Sequence, residues 1–159
     1  MASVERKVVG GGLVGLVERL QSLANREVLV GIPAGENMRN SGEINNAALL
    51  YIHTHGSPLR NIPARPVIEP AIEDAKDRIA REIRSAIEAA ADGRDDAAEQ
   101  YLERAGMAGQ NASRAWFTNP NNHWAPNSPR TIARKGSSRP LIDTGSLRKS
   151  IIYVVRDKP

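Results

Sequence analysis

The chain has 159 residues, 40% hydrophobic and 25% charged, with aromatics at 4% and no cysteine. That length bounds one domain with a real core, which must rest on Ile, Leu, Val and Ala because rings are scarce. The missing cysteines exclude disulfides, thiolate zinc sites and thiol nucleophiles, and the net charge of +4 hides a segregation of sign along the chain.

In chain order, residues 1–12 read as a flexible, Gly-rich lead. Its apolar run, residues 8–17, holds four glycines and is far too short to span a bilayer. The same glycines dilute it as a signal-peptide core, and Glu18-Arg19 interrupts the approach to a cleavage site, so the segment reads as mature protein. Leu13, Leu16, Val17, Leu20 and Leu23 then form one apolar stripe of an amphipathic helix. Residues 27–33 are a compact strand stopped by Pro33, and residues 34–43 a polar, mobile loop. A helix is predicted from Ile44 to His53, and four prolines make residues 56–70 an extended, stiff connector.

Ile68, Ile72, Ala75, Ile79, Ile83 and Ile87 predict one long helix of about 20 residues, with Pro70 in its first turn and charges on its other face. Asp92-Gly93 ends it. Asp95 can cap a further helix reaching toward Trp116 in spite of Gly106 and Gly109. Residues 118–140 read as an extended loop and basic arm, after which Asp143-Thr144-Gly145-Ser146 turns the chain into a final strand over residues 150–155. The order α-β-α-α-α-β gives the α+β class: one domain over residues 1–159, with a small mixed or antiparallel sheet packed against a long central helix, extended loops and an N-terminal helix.

Residues 1–60 carry six basic and five acidic side chains, residues 61–108 seven and eleven, and residues 109–159 nine and two. Such runs are ordinarily solvated faces. They also suit self-complementarity, in which an acidic surface of one copy meets a basic arm of the next and head-to-tail repetition closes a ring. The candidate contact residues are Glu73, Asp74 and Asp77 on the acidic side, and Arg130, Arg134, Lys135, Arg139, Arg148 and Lys149 on the basic side, with Trp116 and Trp124 beside them.

Enzymatic motifs do not hold up against their contexts. Leu141-Ile142-Asp143-Thr144-Gly145 matches an aspartic-protease half-site as a string, but 14 residues after Gly145 cannot build a flap. Gly10-x-Gly12-x-x-Gly15 matches the dinucleotide fingerprint but lacks the preceding buried strand and the βαβ unit around it. His53, His55 and His123 have no zinc-site spacing. The sequence therefore reads as a non-enzyme with no cofactor and no metal. The alternative is a nucleic-acid-binding protein, with the basic C-terminal segment on phosphates and Trp124 stacking on a base.

Thr131-Ile132-Ala133-Arg134-Lys135-Gly136-Ser137-Ser138-Arg139-Pro140-Leu141-Ile142-Asp143-Thr144-Gly145-Ser146-Leu147-Arg148-Lys149-Ser150-Ile151 resembles the C-terminal signature of virion-morphogenesis proteins of tailed bacteriophages, the tail-completion and head–tail joining proteins. Ala47-Ala48-Leu49-Leu50-Tyr51-Ile52-His53-Thr54-His55-Gly56-Ser57-Pro58, followed by Asn61-Ile62-Pro63-Ala64-Arg65-Pro66, is similar to a second block of that family in the same order. The two cover about a third of the chain. The resemblance implies a structural virion protein of the neck, collar, tail-completion or tail-terminator type. It would be assembled in the host cytoplasm and form a homo-oligomeric ring, often six- or twelve-fold. Its implied partners are its own copies, a head-side connector or adaptor, and tail tube or terminator proteins; genome DNA would cross the lumen without sequence-specific contact, and no membrane is involved.

Overall fold

The computed structural model describes residues 12–33 and 44–159. Apart from Gly12, the expected flexible lead lies outside the described residues, as does the polar loop at 34–43. Helix α1 is Gly12–Ala24 and strand β1 is Arg26–Gly31. Helices α2 (Asn46–His55), α3 (Ile68–Asp74), α4 (Lys76–Ala91) and α5 (Asp95–Trp116) follow. Two short helices, α6 (Pro129–Lys135) and α7 (Ser146–Lys149), lead into strand β2 (Ile152–Asp157). The α+β class stands. Its sheet is a two-stranded antiparallel ribbon joining the two ends of the described chain, with Arg26 opposite Asp157, Leu29 opposite Val154 and Gly31 opposite Ile152.

The central element is α5, whose 22 residues pack against α3, α4 and both strands. Its buried side is made mostly of small residues, Ala98, Ala105, Gly106, Ala108, Gly109 and Ser113, together with Leu102 and Trp116. A glycine inside a helix costs roughly 1 kcal/mol against alanine, and close approach explains both of these. A Cβ on Gly106 would lie 2.8 Å from Tyr153 Cγ, and one on Gly109 would lie 2.9 Å from both Ile72 Cδ1 and Val30 Cγ2. Small residues here let the ribbon and α3 close onto the helix. Asp95 is the first residue of α5 rather than its cap, a position held by Arg94 without a side-chain bond.

The single helix expected over residues 68–87 is two helices, broken at Ala75 (φ −94°, ψ 3°). No proline or glycine sits at the break. The halves serve different cores: Val67 and Ala71 enter a cluster with Leu50, Trp116, Phe117, Leu147 and Ile151, whereas Ala89 and Ala90 of α4 pack with Ala98. The isoleucines are partly buried, except Ile87, which is exposed. Ile72, Ile79, Ile83 and Ile87 line an open apolar groove of about 700 Å³ together with Leu20 and Leu23 of α1 and Val28 and Val30 of β1. Helix α1 has no fully buried residue and exposes Leu13 and Val14. It is held to α4 by Arg19, whose guanidinium donates to the Ala90 and Ala91 carbonyls at 3.0 and 3.2 Å, closing a helix C-terminus with a cation.

Candidate functional site

The connector at 56–70 is a pinned turn rather than an extended spacer. Gly56 ends α2 at φ 73°, ψ 178°, Pro58–Arg60 forms one 3₁₀ turn, and Asn61 follows in the left-handed region. Ser57 and Ile62 exchange both backbone bonds, at 2.8 and 3.0 Å, and the Arg65 N–H returns to the His53 carbonyl at 2.6 Å. This geometry drives the Arg65 side chain inward until it is only 6% exposed. There Nε and Nη2 donate to the Ala125 carbonyl at 3.1 and 2.8 Å, and Nη2 also donates to the Pro126 carbonyl at 3.2 Å. Burial draws its pKa down from the usual guanidinium value.

The basic arm is likewise a built element. Ser128 caps α6 by accepting the Thr131 N–H at 3.2 Å, Pro129 takes the first helical position, and Gly136 closes the helix at φ 67°. Ser128→Ala is expected to lower stability by about 1 kcal/mol through loss of that cap, measurable as a shifted urea midpoint. Beyond α6, the Lys135 ammonium donates to the Arg139 carbonyl at 3.1 Å and Asn127 Nδ2 to the Ser138 carbonyl at 3.2 Å. Gly145 turns the chain at φ 78°, and α7 then drops Leu147 and Ile151 into the core beside Leu50 of α2.

The two segments carrying the resemblance therefore meet in space although Arg65 and Arg134 are far apart in the chain. Asn46 Nδ2 reaches Ser146 Oγ at 3.4 Å, α2 packs on α7, and Arg65 ties the turn to the loop that enters α6. Between them runs a groove of about 670 Å³ lined by His53, Arg65, Asn127, Thr131, Arg134, Lys135, Leu141, Asp143, Thr144 and Ser146, among others. The Lys135 ammonium has its pKa lowered, first by burial and then by Arg65 and Arg134, with Asp143 acting against them.

Of the residues singled out by sequence, Arg134 and Lys135 line this groove, whereas Arg130, Arg139, Arg148 and Lys149 do not. Arg130, Arg139 and Lys149 are exposed, and Arg148 is half-buried. Glu73, Asp74 and Asp77 are exposed on α3 and α4, away from the groove lining. Glu73 is paired with Lys76. Trp116 is a correction: at 6% exposure it belongs to the core and has no surface to offer a partner. Trp124 is half-buried, edge-on to Phe117 with centroids 5.8 Å apart, and its Nε1–H donates to the Pro66 carbonyl at 3.1 Å. The residue that sequence reading left out is Arg65, flanked closely by Pro63 and Pro66.

Asp143 is the one carboxylate in the groove lining, and aspartic-protease chemistry needs two sharing a proton. Among the described residues there is no group of three or more His, Cys, Asp or Glu able to hold a metal. No helix of the described residues is long and apolar enough to cross a membrane. Comparison with protein-family models, with curated proteins and with solved structures returns no match.

Proposed function

We propose that this chain is a structural component of the head–tail junction of a tailed bacteriophage, of the neck, tail-completion or tail-terminator type, located in the virion, and that it acts by assembly rather than catalysis. Copies would close into a ring around the DNA channel, between a head-side connector and the tail. The observation that carries the reading is the contact between its two family-like segments: α2 packs on α7, with Leu50 in one core cluster with Leu147 and Ile151, and Arg65 adds a tie to the loop that leads into the second segment. Two stretches that resemble one family in sequence form one buttressed unit in space. The charge pattern supports it as well. Among the described residues no ion pair joins Glu73, Asp74 or Asp77 to the cations of residues 130–149; Glu73 is held by Lys76, and Asp74 and Asp77 form no ion pair.

Size-exclusion light scattering with negative-stain imaging of the full chain tests the proposal. Ring-shaped particles with a mass that is a multiple of 17.3 kDa are expected. A monomer at every concentration, binding duplex DNA with a steep salt dependence, would overturn it in favour of a nucleic-acid-binding module.

A further inference from the structure

Among the described residues the basic groove holds three cations, Arg65, Arg134 and Lys135, against a single carboxylate, Asp143. Arg65 is nine-tenths buried, and its hydrogen bonds all go to neutral carbonyls; among the described residues its Nη1 makes none. Lys135 is half-buried and bonded to a carbonyl, and Arg134 stands beside it on α6. The described ion pairs are Arg26 with Glu99 and Asp157, Lys76 with Glu73, Arg94 with Asp92, and Arg156 with Glu27; none reaches this cluster. Asp143 lies in the same wall but is exposed and forms no ion pair with them. Removing an ion from water costs several kcal/mol unless a counter-charge or hydrogen bonds offset it. Carbonyls satisfy the Arg65 N–H groups they reach, and one carboxylate against three cations leaves the groove with a net positive charge.

We infer that this groove is a carboxylate-binding site, and that its occupant is the acidic α3–α4 surface of a second copy, presenting Asp74 and Asp77 to Arg65, Arg134 and Lys135. This rests on the self-assembly reading above and identifies the contact that joins neighbours. Asp74 and Asp77 are exposed and make no ion pair among the described residues, whereas neighbouring Glu73 is already held by Lys76. A guanidinium edge with an unused nitrogen is suited to a carboxylate, since charge-assisted bonds of this kind are about twice as strong as neutral ones. A nucleic-acid backbone fits less well. Asp143 in the groove wall would repel successive phosphates along a backbone.

Charge reversal on the full chain tests this without touching Arg65, which holds the fold. Asp74→Lys with Asp77→Lys, and separately Arg134→Glu with Lys135→Glu, are each expected to weaken self-association by about tenfold or more while melting like wild type. An equimolar mixture of the two should recover the wild-type mass, because each interface then carries opposite charges. Should the Glu variant melt early, Arg134→Gln with Lys135→Gln removes the charge more gently, and the same loss is expected. If wild type assembles and both reversals assemble equally well, the groove inference falls and the self-assembly reading survives. A wild type that stays monomeric overturns both. A monomer whose binding to a duplex oligonucleotide is abolished by Arg134→Glu with Lys135→Glu hands the groove to nucleic acid.

Discussion

Ile151→Ala is expected to lower the unfolding free energy by about 2–5 kcal/mol, the range for emptying a buried aliphatic site. Ile151 is 0% exposed and is among the largest fully buried side chains of the described residues. It packs in one cluster with Leu50, Val67, Trp116, Phe117 and Leu147, so its side chain touches the core where α2, the end of α5 and α7 converge. Collapse around the cavity is restrained because the Ile151 carbonyl accepts a 2.9 Å bond from Arg114 Nε, which fixes the backbone there. Domains of this size have about 5–15 kcal/mol of stability in total, so the loss is a large share of it. Urea titration should show a lower midpoint with an unchanged slope. Ile87→Ala provides the contrast, since that side chain is exposed on the rim of the apolar groove. Its effect should stay within about 0.5 kcal/mol. Equal losses at the two positions would contradict this account of where the core lies.

That contrast also shows what the sequence could and could not reveal. Both isoleucines belong to well-patterned segments, and periodicity alone ranks them alike. Helix α1 and the two strands were legible because leucine spacing and β-branched runs map directly onto helix and strand periods. The core was harder to read. A hydrophobicity pattern gives weight to bulky side chains, whereas the centre of this fold is the Ala- and Gly-faced side of α5, where smallness permits contact. The isoleucine spacing predicts a helix but not that its stripe lines an open groove. Trp116, a contact candidate by its place beside the basic arm, is instead turned inward by the last turn of α5.

The site was partly legible. Ser128, Pro129 and Gly136 are the start and stop signals of a short helix, and those letters could have found α6 within the supposed arm. Arg65 had no such local signal. Its importance comes from a turn that begins at Gly56 and from carbonyls at Ala125 and Pro126, a separation no short-range pattern spans. The kink at Ala75 follows from two distinct packing clusters, which only the assembled fold defines.

Gly56→Ala is expected to be destabilising by about 3 kcal/mol or more, although Gly→Ala elsewhere commonly adds about 0.4–1 kcal/mol by restricting the unfolded chain. The sign is decided by two local facts. At φ 73° and ψ 178° the residue occupies a region that is essentially restricted to glycine, where strain alone costs about 1–3 kcal/mol. An added Cβ would also lie 2.8 Å from the Ala64 nitrogen and 2.9 Å from the Ile62 oxygen. Those are backbone atoms of the pinned turn, so relief requires disturbing the Ser57–Ile62 pair and the 2.6 Å bond from the Arg65 N–H to the His53 carbonyl. Gly136→Ala separates the two contributions. Gly136 is also left-handed, at φ 67°, but a Cβ there meets nothing within 4 Å, so a loss of only about 1–2 kcal/mol is expected. Urea midpoints for the pair should therefore fall in the order wild type, Gly136→Ala, Gly56→Ala. Equal midpoints for the two variants would mean that the turn yields freely and does not position Arg65. Under the assembly reading, Gly56→Ala should also weaken self-association in conditions where the chain remains folded, because shifting the turn withdraws the recessed guanidinium from the groove.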